Sequence, residues 1–216
     1  MTAIDLFEAL RTQRSVRNFT DRPVSDEDVD RILEAASWAP NAANRQLWEF
    51  IVVRDPELKL GVAELYRKSI SLLRESMPAT RPAPDARSGH SAVVKWAGNL
   101  EATLETVPVL ILVGYDRAQM PYSRDGIFKA FRDETVYTGV LPAVQNLMLA
   151  ARGLGLGTCL TTVANIWSGK IKELLGIPEH IQLVALIPLG HPAPPFDGFP
   201  PVKRIPVAEK VHRDGW

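Results

Sequence analysis

The chain has 216 residues, 46% apolar and 23% charged, a composition that supports one domain with a sizeable core. Its 25 Lys and Arg balance 25 Asp and Glu, so no basic face for nucleic acid is expected. The single Cys159 excludes an internal disulfide, no Cys/His cluster offers a metal site, and no apolar run is long enough to cross a bilayer. Met1 opens an acidic amphipathic stretch, with no basic region ahead of an apolar core, so a cytoplasmic protein without a signal peptide is expected.

Ile4, Phe7 and Leu10 repeat at helical spacing and predict a short first helix ahead of the polar stretch 13–18. Ser25 caps the next helix, Asp28 stands at the capping-box position, and Val29, Ile32, Leu33 and Ala36 form one apolar stripe before Pro40. Residues 50–53 read as a buried strand. Asp55 and Pro56 start a helix, as cap and first helical residue. The proline-rich stretch 78–89 reads as a mobile loop or lid.

Residues 107–114 are the strongest strand candidate, followed by a long helix over about 134–152 in which Pro142 should introduce a kink. Glycines at 153–157 turn the chain into a strand over 158–162. A helix over 167–175 ends at Gly176 ahead of Pro178, and 181–189 is the last core strand. From Gly190 onward prolines dominate, and this tail has no periodicity with which to build its own core. Helices and strands mix without a regular βαβ repeat, which predicts an α+β fold.

Three polar clusters fall where elements begin or end. Arg14, Ser15 and Arg17 offer two forked cations around a hydroxyl, suited to phosphate or another anion, although a solvated basic loop has the same composition. Residues 39–48 combine small side chains with Asn41, Asn44 and Gln46, able to read a ring with alternating donors and acceptors, or simply to turn toward a core Trp48. The third cluster, 155–162, carries glycines that follow a helix and precede a strand, the reverse of a dinucleotide fingerprint. The scattered His90, His180, His191 and His212 form no triad, and Cys159 reads as a small buried residue.

In order, these clusters resemble the nitroreductase family. That family opens with a helix ending in Arg-Arg-Ser-x-Arg and an aromatic, against Gln13, Arg14, Ser15, Val16, Arg17, Asn18 and Phe19 here. A helix closing on Ala-Pro-Ser-x-x-Asn-x-Gln-Pro-Trp-x-Phe is matched from Ala39 to Phe50. Gln145 and Asn146 then lead to Gly155-Leu156-Gly157-Thr158, and a closing strand ends at Leu189-Gly190-His191-Pro192. Gln13 stands for the first Arg, Asn41 for Ser and Leu47 for Pro.

The resemblance implies one domain over 1–216, a central mixed sheet flanked by helices, and a homodimer with FMN between subunits. Residues 190–216 would be a domain-swapped tail packed on the partner. Arg14, Ser15, Arg17 and the late Arg204 would hold the phosphate side, with Arg17 also serving the flavin's N1 and O2 edge. Asn41, Ala42, Asn44 and Gln46 would approach the flavin, and Leu160, Thr161 and Thr162 would pass its N5 edge. Thr162, as the hydrogen-bond partner of N5, would be the catalytic residue. The implied activity is hydride transfer from NADH or NADPH through the flavin to a small nitroaromatic, quinone or activated alkene. Reductive dehalogenation, flavin fragmentation and a flavin store or sensor without turnover are the alternatives.

Overall fold

The computed structural model describes residues 4–76, 99–119, 126–195, 198–201 and 204–216, with backbone alone for 127–136. The stretch expected to be a lid, 78–89, lies outside them. Five helices are used below: α1 (Leu6–Thr12), α2 (Asp26–Ser37), α3 (Pro56–Ser76), α4 (Ile127–Gly153) and α5 (Ser168–Leu175). The strands are β1 (Trp48–Val53), β2 (Val109–Asp116), β3 (Gly157–Thr158) and β4 (Ile181–Gly190), in the order β1-β2-β4-β3. Among the described residues all three ladders are antiparallel, and the parallel element of the expected mixed sheet is the isolated bridge between Ser15 and Thr158.

The caps act as their residue types dictate. Ser25 Oγ accepts from the Asp28 amide at 3.1 Å, and Asp55 Oδ1 accepts from the Glu57 and Leu58 amides at 2.9 Å each. Gly176, at φ 65°, ends α5 in the left-handed conformation that glycine adopts without penalty. The long helix α4 begins earlier than its sequence pattern indicated and contains Pro142.

Central β2 is buried along its whole length, and its alternating side chains feed two cores. Val109, Ile111, Val113 and Tyr115 face α2 and α4, packing with Val29, Ile32, Ala36, Val144 and Leu147. Leu110 and Leu112 face the other layer, with Val62, Tyr66 and Ile70 of α3 and Ile171 of α5. The β2–β4 register shifts between Val113 and Gly114, where an added Cβ would lie 2.9 Å from the Gln182 carbonyl oxygen.

The first helix forms, but of its expected stripe Phe7 and Leu10 are turned away from this core while Ile4, just ahead of the helix, stays half-buried. Ala9 and Thr12 are buried, while Leu6, Phe7 and Leu10 are 60%, 75% and 48% exposed. The small-residue side of α1 lies on α4, since Arg152 reaches Thr12 and Ile4 sits beside Gly153. The expected strand over 158–162 is also shorter than its sequence pattern. Only Gly157 and Thr158 join the β4 ladder, and pairing resumes at Thr161, whose amide and carbonyl both bond Leu186 at 3.0 and 2.9 Å.

Candidate flavin site

The first and third clusters meet at the β3 edge. Val16 donates its amide to the Thr158 carbonyl at 2.8 Å, and Ser15 bridges Thr158 in parallel. This approach requires glycine opposite. A Cβ on Gly157 would lie 2.8 Å from Val16 Cβ and Cγ1. Further on, Thr20 donates to the His191 carbonyl and Ala193 to that of Asn18, both at 2.9 Å, which ties the basic stretch to the end of β4.

The arginines diverge from there. Arg14 Nη1 donates to the Pro200 carbonyl at 3.1 Å, and Arg17 lies near the Cys159 thiol and the Tyr66 hydroxyl. Burial pushes the Cys159 thiol above its ordinary range; Arg17 and hydrogen bonds from Ser15 and Arg17 oppose that shift without reversing it. Burial likewise raises the Tyr66 phenol, against a hydrogen bond shared with Thr161 and the charge of Arg17. For both groups burial therefore disfavours the charged form, with the Arg17 guanidinium beside them.

Thr161 is buried and its backbone is spent on Leu186, whereas Leu160 and Thr162 are exposed. The side chain of Asn165 fixes the turn after them by donating to the Val184 carbonyl at 2.7 Å. Gln13, at the position of the missing arginine, donates to Met148 Sδ at 3.7 Å and is turned toward α4.

The second cluster is a loop at the far end of α2. Asn41 Oδ1 accepts from the Gln46 amide at 2.8 Å, and its Nδ2 donates to the Ala39 carbonyl at 3.3 Å. Asn41 is thus the loop's internal brace, while Ala42, Asn44 and Gln46 stand exposed. Ala43, Asn44 and Gln46 have φ of 52°, 51° and 53°, in the left-handed region that costs residues with a Cβ free energy. The loop lies against α4, with Asn41 Cβ 3.8 Å from where a Cβ on Gly139 would stand. Met148, beside Gln13, is nine residues further along α4, about 14 Å of helix rise. Arg204 is exposed and makes no ion pair among the described residues.

The sequence profile of the nitroreductase family matches residues 10–191. The chain belongs to the nitroreductase family. It is 30% identical to an Archaeoglobus fulgidus protein provisionally named an NADH dehydrogenase/NAD(P)H nitroreductase, over 98% of this chain and 99% of that one. It is 28% identical to rat iodotyrosine deiodinase 1 over 89% of this chain, and the match spans 64% of that longer protein.

Among solved structures, a Desulfovibrio desulfuricans protein in complex with FMN, provisionally named a nitroreductase, is 26% identical. It superimposes with a TM-score of 0.68 over 100% of this chain and 99% of that one. An iodotyrosine deiodinase bound to FMN and 3-iodo-L-tyrosine has the same fold, with a TM-score of 0.73 at 24% identity, covering 98% of this chain and 100% of that one.

In this nitroreductase-family chain the β3 wall includes two residues that sequence patterns did not single out. Tyr66 sits at a core position of α3 between Val62 and Ile70, so its periodicity is that of any apolar helix residue. Asn165 carries no motif, and its role shows only through the Val184 contact.

Proposed function

We propose that the chain is an FMN-dependent oxidoreductase that works as a homodimer, using NADH or NADPH to reduce a small organic acceptor such as a nitroaromatic, a quinone or an activated alkene. The observation that carries this reading is the basic stretch 14–17 moored to β3 through Val16, with exposed Thr162 a few residues beyond. The donor set fits the cofactor, because two guanidinium groups and a hydroxyl suit a phosphomonoester, and a cation beside neutral neighbours suits a ring that gains negative charge. When bound, the flavin supplies the hydride chemistry between nicotinamide and acceptor.

The residues divide the remaining work. Arg14 and Ser15 hold the phosphate, joined by Arg204 from the tail. Arg17 stabilises charge on the flavin's pyrimidine side, and the exposed hydroxyl of Thr162 donates to N5, with Leu160 and Thr161 forming the wall beside it. The loop of Asn41, Ala42, Asn44 and Gln46 presents amides and small side chains to the flavin ring. Leu6, Phe7 and Leu10 on α1, Tyr137 and Leu141 on α4, and Val207 and Trp216 in the tail leave apolar surface open that a second copy would cover. Phe199 is buried on its own chain, so the part of the 190–216 tail that reaches the partner begins after it. Cys159, free and buried, suits a reducing cytoplasm.

Anaerobic titration of the FMN-loaded protein with NADH and NADPH, followed by an acceptor panel, tests the activity. Bleaching of the flavin followed by reoxidation by an acceptor is expected. A bound flavin that neither nicotinamide bleaches would make the protein a store or sensor, and a pure protein that ignores FMN would overturn the reading. Likeness to iodotyrosine deiodinases makes reductive dehalogenation the second reading, so 3-iodotyrosine belongs in the panel. Arg204→Ala is expected to weaken FMN binding about tenfold, from the loss of one charge-assisted contact. Sedimentation showing an FMN-saturated monomer at micromolar concentration would overturn the dimer.

A further inference from the structure

The loop 41–46 reaches outside itself through Arg45, whose Nη1 donates to the Gln119 carbonyl at 3.2 Å. Gln119 stands in the turn that follows β2, and the side chain of Asp116, the last residue of that strand, shapes this turn. Asp116 is buried; its Oδ1 accepts from the Ala118 amide and its Oδ2 from Gln119 Nε2, both at 2.7 Å. The Asp116 amide donates to the Leu47 carbonyl at 3.0 Å, just past the loop. The same turn is tied to the start of β4. Arg117 donates its amide to the His180 carbonyl at 3.0 Å and its Nη2 to the Glu179 carbonyl at 3.2 Å. That Glu179 carbonyl also accepts from the buried Lys172 of α5 at 3.0 Å. One carboxylate therefore links the end of the central strand to an exposed loop.

Arg45 lies between Asn44 and Gln46, both left-handed at φ 51° and 53°, and backbone of this kind keeps its shape only where contacts over-determine it. Ala42, Asn44 and Gln46 are exposed, so their side chains are open to a ligand. Burial opposes charge on the Asp116 carboxyl, yet hydrogen bonds from the Gln119 side chain and the Ala118 amide, with His180 nearby, hold it below the ordinary carboxylate range. An ionised carboxylate accepts at both oxygens, as a turn with two inward donors requires.

We infer that Asp116 is a positioning residue for the loop assigned to the flavin ring: its two oxygens set the turn so that the Gln119 carbonyl holds Arg45, and Arg45 holds Ala42, Asn44 and Gln46 in the pose that meets the ring. This rests on the FMN reading. A loop fixed in advance loses less entropy when its ligand binds, so loosening the turn weakens flavin binding although Asp116 itself touches no flavin. On that reading the loop meets the ring and not the phosphate, so FMN and riboflavin suffer alike.

FMN and riboflavin are titrated into the wild type, Asp116→Ala, Arg45→Ala and the double variant. Each single variant is expected to raise both dissociation constants about threefold to tenfold, FMN and riboflavin by the same factor. The double variant should lose no more than the weaker single variant, because both residues act through one contact. Asp116→Asn keeps an acceptor for the Ala118 amide and, with the Gln119 amide turned over, a bond to that side chain, so it should bind both flavins nearly as the wild type does. Gln119→Ala, at an exposed position, serves if Asp116→Ala does not fold and should weaken both flavins in the same way. Wild-type affinities in Asp116→Ala or Gln119→Ala, an Asp116→Asn variant as weak as the alanine variant, or additive losses in the double variant would overturn the inference. Ala42→Leu probes the reading beneath it, since a bulkier side chain on the loop should weaken both flavins. Wild-type affinity in that variant, or a wild type that binds neither flavin, would instead overturn the placing of this loop at a flavin.

Discussion

Residues 14–17 and 41–46 are both short polar stretches that follow a helix, yet they are held in opposite ways. The first is fastened from outside itself: Val16 bonds Thr158 and packs on Gly157, and Arg14 reaches Pro200. The second is braced mainly from within, by Asn41 bonding the Gln46 amide, with Arg45 reaching out to the Gln119 carbonyl, and carries Ala43, Asn44 and Gln46 in the left-handed region. Long-range packing fixes the cations, which on the proposed reading would meet a phosphate whose angular placement matters. A strained loop presents small side chains at the surface, where on the same reading a flat ring would approach closely. Strain of this kind persists where surroundings over-determine it, and such residues gather at ligand clamps.

Adding a methyl to the fastened region should have the largest effect. In Gly157→Ala the new Cβ meets Val16 at 2.8 Å, so either β3 or the basic stretch must shift. Overpacking of this sort costs about 1–3 kcal/mol, and displaced cations should lose FMN affinity as well. Urea unfolding and FMN titration read the two effects. A variant with the wild-type midpoint and affinity would show that the contact at Val16 does not set the site.

Arg17→Ala sharpens the same comparison through chemistry. Its neighbours Cys159 and Tyr66 are kept neutral by burial, so the guanidinium is the charged group of this wall. Losing it should make the two-electron potential of bound flavin about 30–60 mV more negative, the equivalent of a charge-assisted contact of about 1.5–3 kcal/mol. Hydride transfer should slow, while oxidised FMN binds with a smaller change. An unshifted midpoint potential in the FMN-saturated variant would confine Arg17 to the phosphate.

The elements with local signals were legible in the sequence. Ser25 and Asp55 announce their caps, and the apolar run of β2 announces a central strand because both of its faces are covered. The family likeness also came through, since its motifs are contiguous. What stayed hidden depends on pairing across distance. Nothing near Phe7 or Leu10 says that α1 would lay Ala9 and Thr12 on α4. Of the strand expected over 158–162, β4 pairs only Thr158, together with the preceding Gly157, before pairing breaks off and resumes at Thr161. Arg152, whose guanidinium lies over the Phe199 ring, is 47 positions from it, and the two share no pattern that periodicity can detect.

In the self-braced loop, smaller effects are expected. Asn41→Ala removes the acceptor for the Gln46 amide and should cost about 0.5–1.5 kcal/mol of stability, whereas Asn41→Asp keeps an acceptor oxygen and should stay near wild type. Equal urea midpoints for the alanine and aspartate variants would mean that Asn41 does not brace the loop.

The smallest effect, and the one of opposite sign, belongs to Ala43→Gly. At φ 52° the alanine Cβ crowds its own backbone, a cost of about 1–2 kcal/mol that glycine does not bear. Against this, glycine loses more freedom on folding, by about 0.4–1 kcal/mol, so the net gain in stability should be only about 0.5 kcal/mol. Glycine at 43 and alanine at 157 are thus mirror substitutions: removing a Cβ from the strained loop should stabilise the fold slightly, and adding one at the fastened edge should destabilise it. The loop substitution also separates strain from binding. If the left-handed backbone serves only to shape the loop, glycine adopts it as readily and FMN affinity should hold while the urea midpoint rises. A lowered midpoint would show that the Ala43 methyl supports the loop by packing, and the contrast between the two regions would then be one of degree.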